Sequence, residues 1–177
     1  MTTNMVLSFS LATDADAEDV QRVRAAAAEH LTAVHGRGPW SSVASVNGVL
    51  FGMRYAKVLQ VRDGDALVAT LRLATRKPWT MDEDMFTAVP RPLYLMDMAV
   101  LPDHQRQGVG RIALLEAARL AREWPADALR LDAYQGPAGA GPFYQRSGYR
   151  CVGKNEFRGV PYEYYELELT SSSRPNE

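Results

Sequence analysis

The stretch Gln105-Arg106-Gln107-Gly108-Val109-Gly110-Arg111 constrains this chain most, because of what its flanks predict. Ahead of it the apolar run Leu93 to Leu101, closed by Pro102, reads as a strand. Behind it a helix-period segment continues to Trp124, with Val109, Ile112, Ala113, Leu120, Ala121 and Trp124 as apolar positions. A strand, a glycine-bearing turn and a helix N-terminus make an anion cradle. The first N–H groups of a helix have no internal partner, and the helix dipole adds partial positive charge beside them. Gly108 and Gly110 let backbone approach a ligand closely. The expected guest is a polyphosphate. The dinucleotide fingerprint is incomplete, since Ala113 stands where its third glycine belongs, and no Gly-Lys-Ser or Gly-Lys-Thr of a Walker A loop is present.

The rest of the chain supplies alternating elements. Met5 to Leu11 reads as a first strand. Thr13 and Asp16 form a variant capping box opening a helix with the stripe Val20, Val23, Ala27, Leu31 and Val34, which Gly36-Arg37-Gly38-Pro39 stops. Ser41 to Arg54 predicts a shorter helix with Val43, Val46, Leu50 and Met53 inward. Lys57 to Arg62 and Ala66 to Ala74 predict strands joined by an Asp63-Gly64 hairpin. Pro78 to Pro92 has no period, carries Asp82, Glu83 and Asp84, and reads as a long functional loop. Ala128 to Tyr134, Tyr149 to Phe157 and Tyr162 to Leu169 complete the strands, giving the order β-α-α-β-β-β-α-β-α-β-β.

Composition excludes several classes. With 177 residues and a hydrophobic fraction of 46%, one folded domain over residues 1–169 is expected, followed by a flexible polar tail over 170–177. A net charge of −1 gives no global attraction to nucleic acid or an anionic membrane. No apolar run is long enough to span a bilayer and no signal peptide is evident, so a cytoplasmic location is expected. The lone Cys151 fits a reducing compartment and reads as an inert thiol. His30, His35 and His104 do not share a metal-ligand spacing, so no metal is expected.

Gln105, Gly108 and Gly110, following a strand that ends in Met98-Ala99-Val100, resemble the acyl-CoA loop of the GNAT N-acetyltransferase superfamily. Phe143-Tyr144-Gln145-Arg146-Ser147-Gly148-Tyr149 resembles that family's signature at its fourth helix. The resemblance is specific across Leu93 to Val152 and loose elsewhere. It implies an α/β (α+β) fold: a central mixed, mostly antiparallel sheet with a splayed parallel strand pair, flanked by about four helices. It also implies acetyl-CoA as co-substrate. Its pyrophosphate would rest on N–H groups from Arg106 through Gln107, Gly108, Val109 and Gly110 to Arg111, and its pantetheine against Met98, Ala99 and Val100. A backbone N–H near Met98 or Ala99 would bind the acetyl oxygen as it gains charge. The family asparagine before the fourth helix is replaced here by Pro137, which puts one pantetheine contact in doubt.

The resemblance makes Tyr144 the residue that hydrogen-bonds the CoA sulfur and protonates the leaving thiolate. On reference values that proton transfer is uphill by roughly 2 kcal/mol, so Tyr144 must be acidified or act mainly as a hydrogen-bond donor. An ammonium acceptor costs roughly 4–5 kcal/mol to deprotonate at pH 7. Asp132, aligned with the base of the ribosomal-protein alanine acetyltransferases, and Asp97, beside the cofactor strand, are rival bases, and each also reads as a structural clamp. Trp40, Trp79 and Phe86 are candidates to roof an acceptor pocket. Three functions stay open: acetylation of a small-molecule amine, acetylation of a peptide or protein, and non-catalytic acyl-CoA sensing. A homodimer through the last strand is also open.

Overall fold

Each predicted element forms, in the predicted order. The structure, a computed structural model, describes residues 5–169, so the expected tail lies outside the described residues. The strands are β1 (Leu7–Leu11), β2 (Lys57–Asp63), β3 (Ala66–Ala74), β4 (Pro92–Val100), β5 (Ala128–Tyr134), β6 (Arg150–Phe157) and β7 (Val160–Glu168). The helices are α1 (Ala17–His35), α2 (Val46–Met53), α3 (Val109–Glu123) and α4 (Gly141–Arg146). The sheet order is β1-β2-β3-β4-β5-β7-β6. β4 and β5 pair in parallel, Pro92 to Tyr94 opposite Ala128 to Arg130, and the β1–β2, β2–β3, β5–β7 and β6–β7 pairs are antiparallel. This order corrects one expectation: β7 lies between β5 and β6, so the last strand is not an edge open for pairing across a two-fold.

The chain divides into two compact units. One comprises the chain up to Ala74 with Met96–Glu116, the other Thr75–Leu95 with the chain from Ala117 onward. In the first, the Thr13 N–H donates to Asp16 Oδ2 at 2.8 Å, and this capping box opens not α1 itself but a short 3-10 turn, Asp14–Asp16, that leads into it. Gly36 ends the helix at φ +79. The core joins Ala17, Val20 and Val23 of α1 to Val49 of α2, Val58 of β2, Leu67 of β3 and Ala99 of β4. Two stripe positions differ from expectation. Val34 lies exposed in the last turn of α1, and Val49 rather than Val43 is the buried residue of α2. The α2 helix starts only at Val46, capped by the Ser45 hydroxyl, so Val43 precedes it in irregular chain.

In the second unit, β5 is buried along its length except at Asp132 and Tyr134, which are half-buried. Arg130 of this strand is buried with Glu166 of β7, Nε to Oε2 at 3.1 Å. The same guanidinium donates to the Thr87 carbonyl at 2.6 Å and lies over the Phe86 ring. The long segment before β4 is pinned rather than loose. Thr80 and Tyr164 bond through the tyrosine hydroxyl and the threonine carbonyl, and Tyr94 donates to Glu83 Oε1 at 2.5 Å.

Candidate active site

The β4 strand delivers Met98, Ala99 and Val100 to a short turn, Pro102–His104, that leads into the glycine loop. Two bonds hold the end of the strand: the Leu101 N–H donates to the Val68 carbonyl at 2.8 Å, and Gln105 Nε2 donates to the Val100 carbonyl at 3.0 Å. Gln105 thus serves as a strut between loop and strand, and the Val100 carbonyl, expected to await pantetheine, already has a partner. Gln107 likewise donates to the Asp103 carbonyl at 2.5 Å.

Gly108 adopts φ +86, and no atom stands within 4 Å of where a Cβ would be. An L side chain there would be strained, and it would fill the open space over the turn. The α3 helix starts on the next residue, Val109, which is fully buried and anchors that helix end. Its first N–H groups have no partner within the helix. Gly110 lies in that first turn, and Arg106 and Arg111 are exposed on either side, Arg106 at φ +58. Open backbone, a helix dipole and two exposed guanidinium groups fit a diphosphate.

Asp97 precedes Met98 with φ +52, a left-handed residue inside a strand. Its Oδ2 lies 2.9 Å from Arg72 Nε and 3.6 Å from Arg24 Nη1. Engaged by guanidinium groups from α1 and β3, the carboxylate ties those two elements to β4, which is the clamp of the two readings.

In the second unit Tyr144 lies in α4, buried, with the rings of Phe143, Tyr149 and Tyr165 5.3 to 6.0 Å away. Burial pushes its phenol well above the usual tyrosine range, and the Asp132 charge pushes it further in the same direction. Local acidification, one of two alternatives for its role, is therefore opposed by its surroundings. Asp132 accepts a bond from the Thr80 hydroxyl. Sequence reading missed Thr80, because a threonine 52 positions from its partner inside an aperiodic segment gives no pattern.

The three aromatic candidates have separate surroundings. Phe86 is 7% exposed, stacked on Tyr164 at 5.5 Å and covered by Arg130, so it is a core residue. Trp40 folds back on its own turn, donating to the Gly36 carbonyl at 3.0 Å with its ring over Gly38. Trp79 is 80% exposed. Among the described residues no group of three or more His, Cys, Asp or Glu side chains is arranged to hold a metal, and no helix is long and apolar enough to cross a membrane.

A mixed sheet with a parallel β4–β5 pair, and a glycine turn carrying β4 into α3, defines the acyl-CoA N-acyltransferase fold. The model of the acetyltransferase (GNAT) family matches residues 23–149, and the chain belongs to that family of acetyl-CoA-dependent acetyltransferases. Comparison with curated proteins gave no match. Among solved structures, the ribosomal-protein-S18-alanine N-acetyltransferase of Escherichia coli superposes with a TM-score of 0.70 at 15% identity, covering 97% of this chain and 99% of that one. YncA of Salmonella typhimurium, a structure containing acetyl-CoA, gives 0.68 at 15% identity, covering 96% and 98%. The PaiA N-acetyltransferase of Thermoplasma acidophilum, in complex with coenzyme A, gives 0.68 at 14% identity, covering 93% and 99%. At these identities the likeness is one of fold.

Proposed function

We propose that this protein transfers the acetyl group of acetyl-CoA to a primary amine of a small molecule, by direct attack of the amine on the thioester in a ternary complex. The observation that carries the reading is the open backbone at Gly108 ahead of the buried start of α3, in a chain of this family. The loop N–H groups from Arg106 to Arg111 hold the pyrophosphate, and the Met98–Val100 backbone, apart from the Val100 carbonyl that Gln105 engages, holds the pantetheine arm. A main-chain N–H at Met98 or Ala99 stabilises the acetyl oxygen as charge builds on it.

Tyr144 acts by hydrogen-bond donation to the departing sulfur. Its raised pKa keeps the proton on the phenol, so it lowers the thiolate's energy without surrendering the proton early. Asp132, held by Thr80, takes the ammonium proton directly or through water, and Asp97 keeps its two arginines in place. The net charge of −1 provides no global attraction for a polyanionic acceptor.

Thiol release from acetyl-CoA, measured against polyamines, amino acids, aminoglycosides and N-terminal peptides, tests this reading. Saturable turnover with a small amine is the expected result. Turnover confined to peptides would replace the small-molecule assignment, and coenzyme A binding with no turnover on any amine would point to a sensor.

A further inference from the structure

The guanidinium groups around Asp97 exceed what that carboxylate needs. Arg24 lies in the buried stripe of α1 beside Val20 and Val23, and only 8% of it is exposed. Arg72 of β3 already makes the close contact with Asp97, at 2.9 Å, and donates to the Met96 sulfur at 3.5 Å. Arg24 reaches the same carboxylate oxygen only at 3.6 Å. Two permanent cations therefore share one anion. Arg24 Nε and Nη2 are fully buried with no hydrogen-bond acceptor, and Arg72 Nε, despite its ion pair, has none in bonding geometry. Burial lowers the Arg24 pKa, Asp97 opposes this, and the charge on Arg72 adds to the lowering. Buried cations with unmet N–H groups are costly unless an anion completes the set.

The surroundings suit a ligand. Gly52 of α2 packs against Arg72, where a Cβ would stand 3.0 Å from Nη1, so the missing side chain makes room for the guanidinium. Beside Gly52 the exposed rings of Phe51 and Tyr55 lie 5.3 Å apart and offer an apolar rim. Arg72 keeps a quarter of its side chain open to solvent. Asp97 is bonded to Met98, whose Cα is about 3.8 Å further along the chain. A group docked on these arginines thus lies against the same stretch of β4 that carries the backbone assigned to the acetyl carbonyl.

We infer that Arg24 and Arg72 are the docking point for a carboxylate on the acceptor, and that the acceptor is an amino acid. The solvent-facing part of the Arg72 guanidinium donates to the carboxylate, and Arg24 supplies the second charge from behind. The α-amine of an amino acid lies close enough to its carboxylate to reach the thioester next to Met98. This inference rests on the acetyl-transfer reading, and the experiment separates the two.

Acetyl transfer is measured with L-leucine and L-phenylalanine, each against its primary carboxamide. Binding of N-acetyl-L-phenylalanine and of its carboxamide to the coenzyme A-loaded protein is measured by calorimetry. The amine of a carboxamide is less basic and more of it is unprotonated at neutral pH, so a preference for the acid runs against intrinsic reactivity. The expected preference in kcat/KM is roughly 10- to 100-fold for the acids, the range of a charge-assisted contact. Arg72→Met removes the preference through KM, and Arg72→Lys restores part of it. Gly52→Ala improves helix propensity while crowding Arg72, so it keeps or raises Tm yet shrinks the preference. Equal use of acids and carboxamides, with no carboxylate-dependent binding, overturns the docking point and leaves acetyl transfer standing. Carboxylate binding that Arg72→Met abolishes, with no thiol release from any amine, supports the docking point and overturns acetyl transfer.

Discussion

Tyr144 and Asp132 carry opposite electrostatic demands within one unit. Burial and the Asp132 charge both favour the neutral phenol, so folding raises its pKa. A tyrosine with a raised folded pKa stays protonated below its unfolded value near pH 10, and its contribution is lost only as pH climbs through the folded value. Activity should therefore show no alkaline decline assignable to Tyr144 below about pH 10. Tyr144→Phe should lower kcat by about ten- to a thousandfold with the pH profile unmoved. A shifted alkaline limb in the pH profile of kcat would overturn the donor role. Asp132→Asn should cost roughly 10²- to 10⁴-fold in kcat if Asp132 is the base. Thr80→Val, which removes the hydroxyl bonded to Asp132, should lower kcat less and shift the acidic limb of the profile; an unmoved limb would make Thr80 merely structural.

The β5 strand shows what an element's sequence discloses and what it conceals. Its bounds, Ala128–Tyr134, coincide with the expected strand, because a short run of alternating large side chains between turn residues carries that signal locally. Its buried Arg130 was not legible, since the partner Glu166 is 36 positions away and becomes a neighbour only when β5 and β7 pair. The Arg24–Arg72–Asp97 cluster was hidden for the same reason, with its members on α1, β3 and β4. Gly108 was legible because strand, turn and helix are consecutive in the chain. Phe86 was misread because an aromatic in an aperiodic segment looks alike whether it roofs a pocket or enters a core. Removing Arg130 takes away the buried partner of Glu166 and leaves that carboxylate with the more distant, exposed Arg150 at 3.6 Å and the Thr87 N–H at 3.2 Å. Arg130→Met should therefore destabilise the protein by about 3–5 kcal/mol, read from urea denaturation midpoints, while the Arg130→Met/Glu166→Leu double variant recovers most of the loss. An Arg130→Met variant of unchanged midpoint would show that water reaches Glu166.

At the scale of the molecule, the element order was readable and the acceptor was not, because the order follows from local periodicity whereas the proposed acceptor site draws on α1, α2, β3 and β4 together. One whole-chain measurement connects the two. A ligand that binds only the folded state stabilises it by the logarithm of its concentration over its Kd, about 2.7 kcal/mol at a hundredfold excess. For a chain of 177 residues each kcal/mol raises Tm by roughly 2–4 °C. Coenzyme A at about a hundred times its Kd should therefore raise Tm by roughly 5–10 °C. Gly108→Val forces a β-branched residue to a positive φ and fills the space above the turn, so it should abolish most of that rise. Its ligand-free Tm should fall by only a few degrees, since no neighbouring atom meets the new side chain. A Gly108→Val protein that coenzyme A still protects in full would remove the loop from the binding site, and the acyl-CoA assignment of Arg106 to Arg111 with it.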